Sequence, residues 1–294
     1  MVQAGENNQT ERKWNMKVTF FGTTTLLFDD GKDAVLFDGF FTRPLLPLYR
    51  VGTVTTDTAL ADDLMSRYDF SRLRAIFVSH THPDHVMDVP YIANRTGAQV
   101  FGSGSCRNVC LGGDVPEDRI HLFRTGEAET FGDFSITVIP SLHSDPTRVN
   151  NDIGKTIDEP LRQPARLTQY KEGGSFDFLV KHGEKTYLIR PSFNYIEGQL
   201  DGIKADVLFL GIGTMAKASD KKLETFFAET LDKVLPEKVI PLHWDDFFLP
   251  LTMRIRNMPL IADNTPKNFD TVARACAARG MEFIVQYPLV TLDA

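Results

Sequence analysis

The sequence has few cysteines and no long apolar segment. Its three cysteines, Cys106, Cys110 and Cys276, are an odd number without zinc-ribbon spacing, which favours a reducing compartment over a disulfide scaffold. No window approaches the roughly 18 to 20 consecutive apolar residues that a membrane span requires. We therefore expect a cytoplasmic protein without a membrane-spanning segment.

Runs of basic residues are absent as well. No stretch of lysine and arginine exceeds a pair, and the formal net charge is −7. A protein that holds a nucleic-acid backbone needs a concentrated positive surface. The composition therefore favours a small-molecule substrate over nucleic acid, and it leaves the oligomeric state open.

What the chain does have is a large supply of short apolar strands. With 42% hydrophobic residues in 294 positions, it can bury a sizeable core. The stretch FDFLVKHGEKTYLIR predicts a hairpin that turns at His182 and Gly183. Residues 1–15 are polar and are interpreted as a disordered leader before one domain at 16–294. The predicted strands in the first half are KVTFF, TTLLFD, AVLFD, AIFVS, RIHLF and DFSITVI.

Helices alternate with strands later in the chain. One predicted helix runs from Asp88 to Arg95 and ends at Gly97, and the last begins with Thr265 as its cap and Pro266 in its first turn. Strand-rich halves that each end in alternating strands and helices predict an α/β fold, with two sheets packed face to face and helices outside. A further predicted helix places Leu223, Phe226, Phe227, Thr230 and Leu231 on one face.

The strongest chemical signal is SHTHPDH, directly after the apolar run AIFVS. His80 and His82 are two residues apart and can point the same way from an extended segment. Asp84 and His85 follow Pro83, where the chain turns, so they can face a second position. Imidazoles and carboxylates at this density predict a site for divalent transition metals.

Residues 80–85 match the His-x-His-x-Asp-His signature of the metallo-β-lactamase superfamily, which the sequence resembles from about Met16 to about Pro250. The resemblance implies a four-layer αββα sandwich of two mixed sheets with outer helices. It places His143 in VIPSLHS and His243 in VIPLHWDDF at the positions of the two remaining metal histidines. Asp38 matches the acidic residue that supports a metal histidine.

By this resemblance His80, His82 and His143 would hold one metal ion, whereas Asp84, His85 and His243 would contribute to a second. Zinc is the expected metal, with iron and manganese as alternatives. Dinuclear relatives place a bridging carboxylate where this chain has Ser192, and residues 185–196 contain no Asp or Glu. A hydroxyl does not offset the repulsion between two dications, so we expect one tightly bound ion and a second that is weak or absent.

The expected reaction is hydrolysis of an ester, lactone or amide bond in a small, partly apolar molecule. Water or hydroxide on the metal would be the nucleophile. Asp84 is the expected catalytic residue, which orients the water and transfers a proton. The sequences VLFLGIG and VIPLHWDDF are most similar to those of lactonase-like members of the superfamily. The alternatives are a phosphodiesterase acting on a small or lipid substrate, and a non-catalytic binding protein that retains one metal. The residues expected to line the substrate pocket are Phe40, Phe41, Tyr49, Phe193, Tyr195, Trp244 and Phe247.

Overall fold

The structure is a computed structural model that describes residues 16–45, 52–147 and 151–293. These residues form two mixed sheets, as the resemblance implies, and each sheet has seven strands. The expected leader, residues 1–15, lies outside the described residues, and so does Tyr49.

The first sheet contains the early strands and the last one. Its order is β14-β1-β2-β3-β4-β5-β6. Strands β1, β2, β3 and β14 pair antiparallel, whereas β3 to β6 run parallel. The strands are β1 (Lys17–Gly22), β2 (Thr25–Asp29), β3 (Ala34–Phe37), β4 (Leu73–Phe77), β5 (Gln99–Gly102), β6 (Ile120–Leu122) and β14 (Val290–Asp293).

The second sheet has the same mixture of directions. Its order is β13-β12-β11-β10-β9-β8-β7, with antiparallel pairs from β7 to β10 and parallel pairs from β10 to β13. Its strands are β7 (Ala128–Phe131), β8 (Phe134–Ser141), β9 (Ser175–His182), β10 (Lys185–Arg190), β11 (Val207–Gly211), β12 (Lys238–Leu242) and β13 (Glu282–Phe283).

Helices cover the outer faces of the two sheets. Helices α1 to α4 accompany the first sheet, and α5 and α6 accompany the second. Short 3₁₀ turns connect several elements, for example at Phe70–Arg72 and Met215–Lys217. The helices are α1 (Thr58–Arg67), α2 (Pro83–Val86), α3 (Val89–Thr96), α4 (Gly104–Gly112), α5 (Asp220–Val234) and α6 (Thr265–Ala277).

Buried side chains on the two faces of the first sheet belong to two different apolar clusters. In β3, Val35 and Phe37 belong to the apolar cluster between the sheets, whereas Ala34 and Leu36 belong to the cluster beneath the first sheet's helices. Successive side chains of a strand point to opposite faces, so a strand buried on both faces is apolar throughout. This is why AVLF and the other central strands are continuous hydrophobic runs.

Most local predictions agree with the structure. The hairpin of β9 and β10 turns after His182, and α3 ends at Gly97, whose φ of 79° is in the left-handed region. The cap of α6 was predicted wrongly. Asn264 caps the helix by accepting a hydrogen bond from the Lys267 amide, whereas Thr265 is already helical and donates its hydroxyl to the Trp244 carbonyl (2.9 Å).

The structure also answers the question of membrane-spanning segments for the residues it describes. Across residues 16–45, 52–147 and 151–293, none of the helices combines the length and the apolar composition that a bilayer crossing requires.

Phe28 offers a test of the packing between the sheets. It is fully buried on β2, and its ring lies 5.3 Å from that of Tyr187 and 5.7 Å from that of Phe209, both in the other sheet. We expect Phe28→Ala to lower the free energy of unfolding by about 3–5 kcal/mol, because the cavity left behind cannot collapse fully. Denaturant titration measures this. Ile261→Ala, at a side chain that is 94% exposed, is the control and should change stability little.

Candidate metal centre

The candidate ligands lie where strands of both sheets end. Asp38 follows β3, the HTHPDH segment follows β4, His143 follows β8 by two residues, and His243 directly follows β12. Parallel neighbours present their carboxyl ends at one edge of a sheet, so side chains far apart in sequence can meet there.

The motif itself changes direction at Pro83. His82 has extended backbone angles (φ −65°, ψ 152°), and Pro83 then begins the short helix α2, which carries Asp84 and His85. All of these side chains are buried. The change from extended chain to helix lets four ligands from six residues face two positions.

His80, His82 and His143 form the first cluster. One ring nitrogen from each lies within 4.8 Å of the others. The ring centroids are 4.9 Å apart for His80 and His82, and 4.7 Å apart for His82 and His143. Three converging imidazoles are a ligand set typical of zinc sites.

The other ring nitrogens of this cluster are engaged by the protein. His143 Nδ1 donates to the Ser144 carbonyl (2.9 Å), and His82 Nε2 donates to Asp152 Oδ1 (3.0 Å). His80 Nε2 is buried and has no hydrogen-bond partner. Since a neutral imidazole offers one donor and one acceptor nitrogen, these contacts leave one nitrogen of each ring to bind a metal.

Asp152 is a functional candidate that sequence reasoning missed. It lies 70 residues from His82 in the irregular stretch between β8 and β9, and its side chain is largely buried. The sequence indicates only that this stretch, residues 144–175, is long and loop-like, which is typical of functional segments. Nothing in the local pattern distinguishes Asp152 from its neighbours.

Asp84, His85 and His243 form the second cluster, again with ligand atoms within 4.8 Å of one another. Asp84 Oδ2 lies 3.3 Å from His243 Nε2 and 3.6 Å from His85 Nε2. The rings of His80 and His85 are 3.7 Å apart, so the two clusters adjoin. The spacing of the motif therefore corresponds to two neighbouring half-sites in three dimensions.

Asp38 supports the second cluster. Its Oδ2 accepts a hydrogen bond from His85 Nδ1 (2.7 Å), which leaves His85 Nε2 facing Asp84. Thr24 Oγ1 and the Ser79 amide also donate to this carboxylate, at 2.6 and 2.7 Å. Asp38 itself has a φ of 56°, a conformation that aspartate tolerates better than most residues. Such support fixes the orientation and tautomer of a metal-binding imidazole.

Burial favours neutral imidazoles at His80 and His143, whereas at His243 the hydrogen bond and charge of Asp84 outweigh burial and raise the pKa of that imidazole. Burial, together with the neighbouring imidazoles, lowers the pKa of His80 well below its usual value, and burial beside His82 lowers the pKa of His143 to about 4. Burial opposes ionisation of Asp84, yet the imidazoles of His85 and His243 hold the pKa of that carboxyl well below its usual range. Neutral imidazole and ionised carboxylate are the states that bind a metal.

Ser192 lies in a buried segment that follows β10, next to the loop that carries His143. Asn194, two residues further along the chain, has both polar atoms of its side chain engaged. Its Nδ2 donates to the His143 carbonyl (2.7 Å), and its Oδ1 accepts from the Tyr195 amide (3.1 Å). Asn194 therefore contacts the first half-site through the backbone of a ligand.

Four of the residues expected to line a pocket are buried among core residues. Phe40 and Phe41 are fully buried, Trp244 is 1% exposed and Phe193 is 3% exposed, and their contact with substrate stays a prediction. Phe40 and Phe41 pack beneath the helices of the first sheet. Trp244 and Phe193 belong to the larger core cluster, where they contact Phe269 and Phe226 respectively.

Two of the expected pocket residues remain placed near the site. The Phe247 ring lies 5.3 Å from that of His243. Tyr195 lines a cavity of about 450 Å³ beside the His143 loop. The residues around this cavity are Asn194, Tyr195, Glu197, Ser219, Lys221, Lys222 and Thr225.

Arg43 is buried in an ion pair near the second cluster. Arg43 pairs with Asp245 (2.8 Å), whose Oδ1 accepts the Thr23 amide (2.8 Å). The Thr23 carbonyl in turn accepts the amide of His243 (2.6 Å). This chain of contacts fixes the backbone of His243, which has an unfavourable φ of 60°.

A third group of possible ligands lies away from this edge. Asp30, Asp133 and His182 have ligand atoms within 4.8 Å of one another. However, His182 Nε2 donates to Asp30 (3.0 Å), and the Lys32 ammonium lies 3.5 Å from Asp133. The neighbouring lysine disfavours a cation, which agrees with the structural role that the sequence predicts for His182.

The fold and its paired clusters define the class of this protein. Residues 33–244 match the family described as the beta-lactamase superfamily domain. A solved metallo hydrolase from the archaeon Ignicoccus hospitalis, Igni18, has the same fold with a TM-score of 0.60 and 16% identity, over 95% of this chain and 97% of that one. The predicted metallo-β-lactamase fold is thereby confirmed.

Proteins of similar sequence identify a narrower family within this superfamily. A "UPF0173 metal-dependent hydrolase" from Carboxydothermus hydrogenoformans is 30% identical over 235 residues, which cover 78% of this chain and 85% of that protein. Another from Heliobacterium modesticaldum is 36% identical over 96 residues, which cover only 32% of this chain and 33% of that protein. The chain therefore belongs to the UPF0173 family of metal-dependent hydrolases within the beta-lactamase superfamily.

The contact between Asp152 and His82 can be tested directly. We expect Asp152→Ala to weaken zinc binding by about 10- to 100-fold, because His82 loses the partner that fixes its ring and tautomer. Competition with a chromogenic chelator measures the affinity. Asp158→Ala, at an exposed carboxylate of the same irregular stretch, is the matched control. Equal affinities in the two variants would contradict a role for Asp152.

Proposed function

We propose that His80, His82 and His143 bind one metal ion tightly and that the protein uses it for hydrolysis. The observation that carries this proposal is the buried, unpartnered Nε2 of His80 beside two imidazoles whose other nitrogens are already bonded. An unpaired polar atom in a dry interior is costly, and a bound cation removes that cost. We propose zinc, with iron and manganese as alternatives.

The second half-site is proposed to bind an ion weakly or not at all. Asp84, His85 and His243 supply two imidazoles and one carboxylate. Ser192 stands where the resemblance places a bridging carboxylate, and a neutral hydroxyl offsets little of the repulsion between two dications. The half-site of His80, His82 and His143 has three imidazoles of its own and does not depend on a bridging carboxylate.

Asp84 is the proposed catalytic residue. A divalent ion at this centre supplies Lewis acidity that polarises a carbonyl oxygen and makes water more acidic at neutral pH. The low pKa of Asp84 keeps its carboxylate ionised at neutral pH. An ionised carboxylate can accept a hydrogen bond from an attacking water and so orient it, and we propose that Asp84 also passes a proton from that water to the leaving group.

The proposed substrate is a small, partly apolar molecule with an ester or lactone bond. Phe247 beside His243 and Tyr195 in the neighbouring cavity supply aromatic surface for it. The similarity of VLFLGIG and VIPLHWDDF to lactonase-like members also supports this choice. A phosphodiester is the second candidate, because Lys221 lines the same cavity; of the other charged residues there, Lys222 is paired with Asp145 (2.6 Å) and Glu197 is acidic.

Metal content tests the proposed asymmetry between the half-sites. We expect elemental analysis of the purified protein to give nearer one than two ions per chain, and Ser192→Asp to raise that number, because the new carboxylate can bridge. Ser66→Asp, on the exposed face of α1, is the charge-matched control and should leave the count unchanged. Two tightly held ions in the unaltered protein would show that another residue bridges them.

Turnover tests the proposed reaction. The fully metal-loaded protein should hydrolyse members of a panel of chromogenic esters and lactones, and exhaustive chelation or His80→Ala should abolish this activity. Hydrolysis of bis-nitrophenyl phosphate alone would favour the phosphodiesterase. If no substrate turns over, while His80→Ala removes the metal and leaves ligand binding intact, the protein binds its ligand without catalysis.

A further inference from the structure

We propose that Asn194 is a positioning residue that holds His143 in place for metal binding. This inference rests on the proposed role of His143 as a metal ligand. Asn194 belongs to the segment Pro191–Asn194, which includes Ser192, the position that the resemblance predicts for a bridging carboxylate. In this chain the segment contacts the His143 loop by hydrogen bonds.

Two cross-links join the segment to the loop. Asn194 Nδ2 donates to the carbonyl of His143 (2.7 Å), and the amide of Phe193 donates to Ser144 Oγ (3.1 Å). The carbonyl of Ser144 in turn accepts the hydrogen bond from His143 Nδ1 (2.9 Å). The cross-links therefore fix both the backbone of His143 and the peptide group that orients its ring.

The segment is itself anchored by a buried ion pair. Arg190 donates from Nε to Asp177 Oδ2 (2.7 Å) and from a terminal nitrogen to the Asn194 carbonyl (2.9 Å). Its other terminal nitrogen donates to Thr230 Oγ1 on α5 (2.6 Å). The side chains of Arg190 and Asp177 are 3% and 1% exposed. Separating such a pair is costly, because it leaves an uncompensated buried charge, so the pair holds Arg190 in place beneath the segment.

The His143 loop needs such an anchor. Residues 142–147 belong to no helix or strand, and Leu142 on one side of His143 is 44% exposed. The other two ligands of the half-site, His80 and His82, are held within a buried segment after β4. His143 thus lies in a loop that side-chain contacts hold in place: Asn194 donates directly to the His143 carbonyl (2.7 Å), and Lys222 donates to the neighbouring Asp145 (2.6 Å).

The test compares zinc affinity in Asn194→Ala and Asn94→Ala. Asn94 is a matched control because its Nδ2 also donates to a backbone carbonyl, that of Gly113 (2.8 Å), at an exposed position away from the site. We expect Asn194→Ala to weaken zinc binding by about 10- to 100-fold, as the loss of a supporting contact does in other metal sites. Chelator competition measures the affinity, and thermal unfolding of the metal-free proteins measures the fold.

Rescue distinguishes positioning from a general effect on stability. Asn194→Gln restores an amide donor and should recover part of the affinity that Asn194→Ala loses. If Asn194→Ala lowers the unfolding temperature of the metal-free protein but binds zinc as tightly as Asn94→Ala, the inference is wrong. If Asn194→Ala does not fold, Ser144→Ala removes the other cross-link and should weaken binding in the same way; unchanged affinity in that variant would overturn the inference.

The outcome separates this inference from the proposed function. An unaltered protein that binds no zinc, or that binds it equally after His143→Ala, would refute the metal site itself. An unaltered protein that binds zinc through His143, with no loss on Asn194→Ala or Ser144→Ala, would refute only the role of Asn194.

Discussion

The structure depends on one constraint: polar ligand atoms are brought together at a buried sheet edge and left without partners among the protein's own groups. The clearest case is His80 Nε2, which is buried without a hydrogen bond. Such atoms cost free energy in a folded protein unless something else satisfies them. Burial also lowers the pKa of His80 and His143, so these imidazoles stay neutral and able to bind a cation.

Hydrogen bonds from neighbouring groups orient the imidazoles of the two clusters. Asp38 holds His85, Asp152 holds His82, and the Ser144 carbonyl holds His143. Behind these contacts are two buried arginine–aspartate pairs, which fix the backbone near the two histidines outside the motif. Arg43 and Asp245 act through Thr23 on His243, and Arg190 with Asp177 acts through Asn194 on His143. Buried pairs of this kind add little net stability, so their value here lies in defining one geometry.

The sequence predicts the fold and the chemistry of the motif because both depend on local order. Strand alternation, the hairpin at His182 and the density of ligands in HTHPDH can be read without knowing what packs against them. The supporting residues cannot be read in this way. Asp152 lies 70 residues from the imidazole that it contacts. Arg43 and Arg190 look like surface residues until their partners are known. Phe40, Phe41 and Trp244 are apolar near the motif, which suits a pocket wall and a core position equally well, and only packing decides between them.

X-ray absorption spectroscopy of the protein loaded with one equivalent of zinc tests the central claim most directly. The account predicts three imidazole nitrogens around the ion at about 2.0–2.1 Å, with no sulfur ligand. In the His143→Ala variant the number of imidazoles should fall to two. A sulfur ligand, or an unchanged imidazole count in that variant, would contradict a site built from His80, His82 and His143.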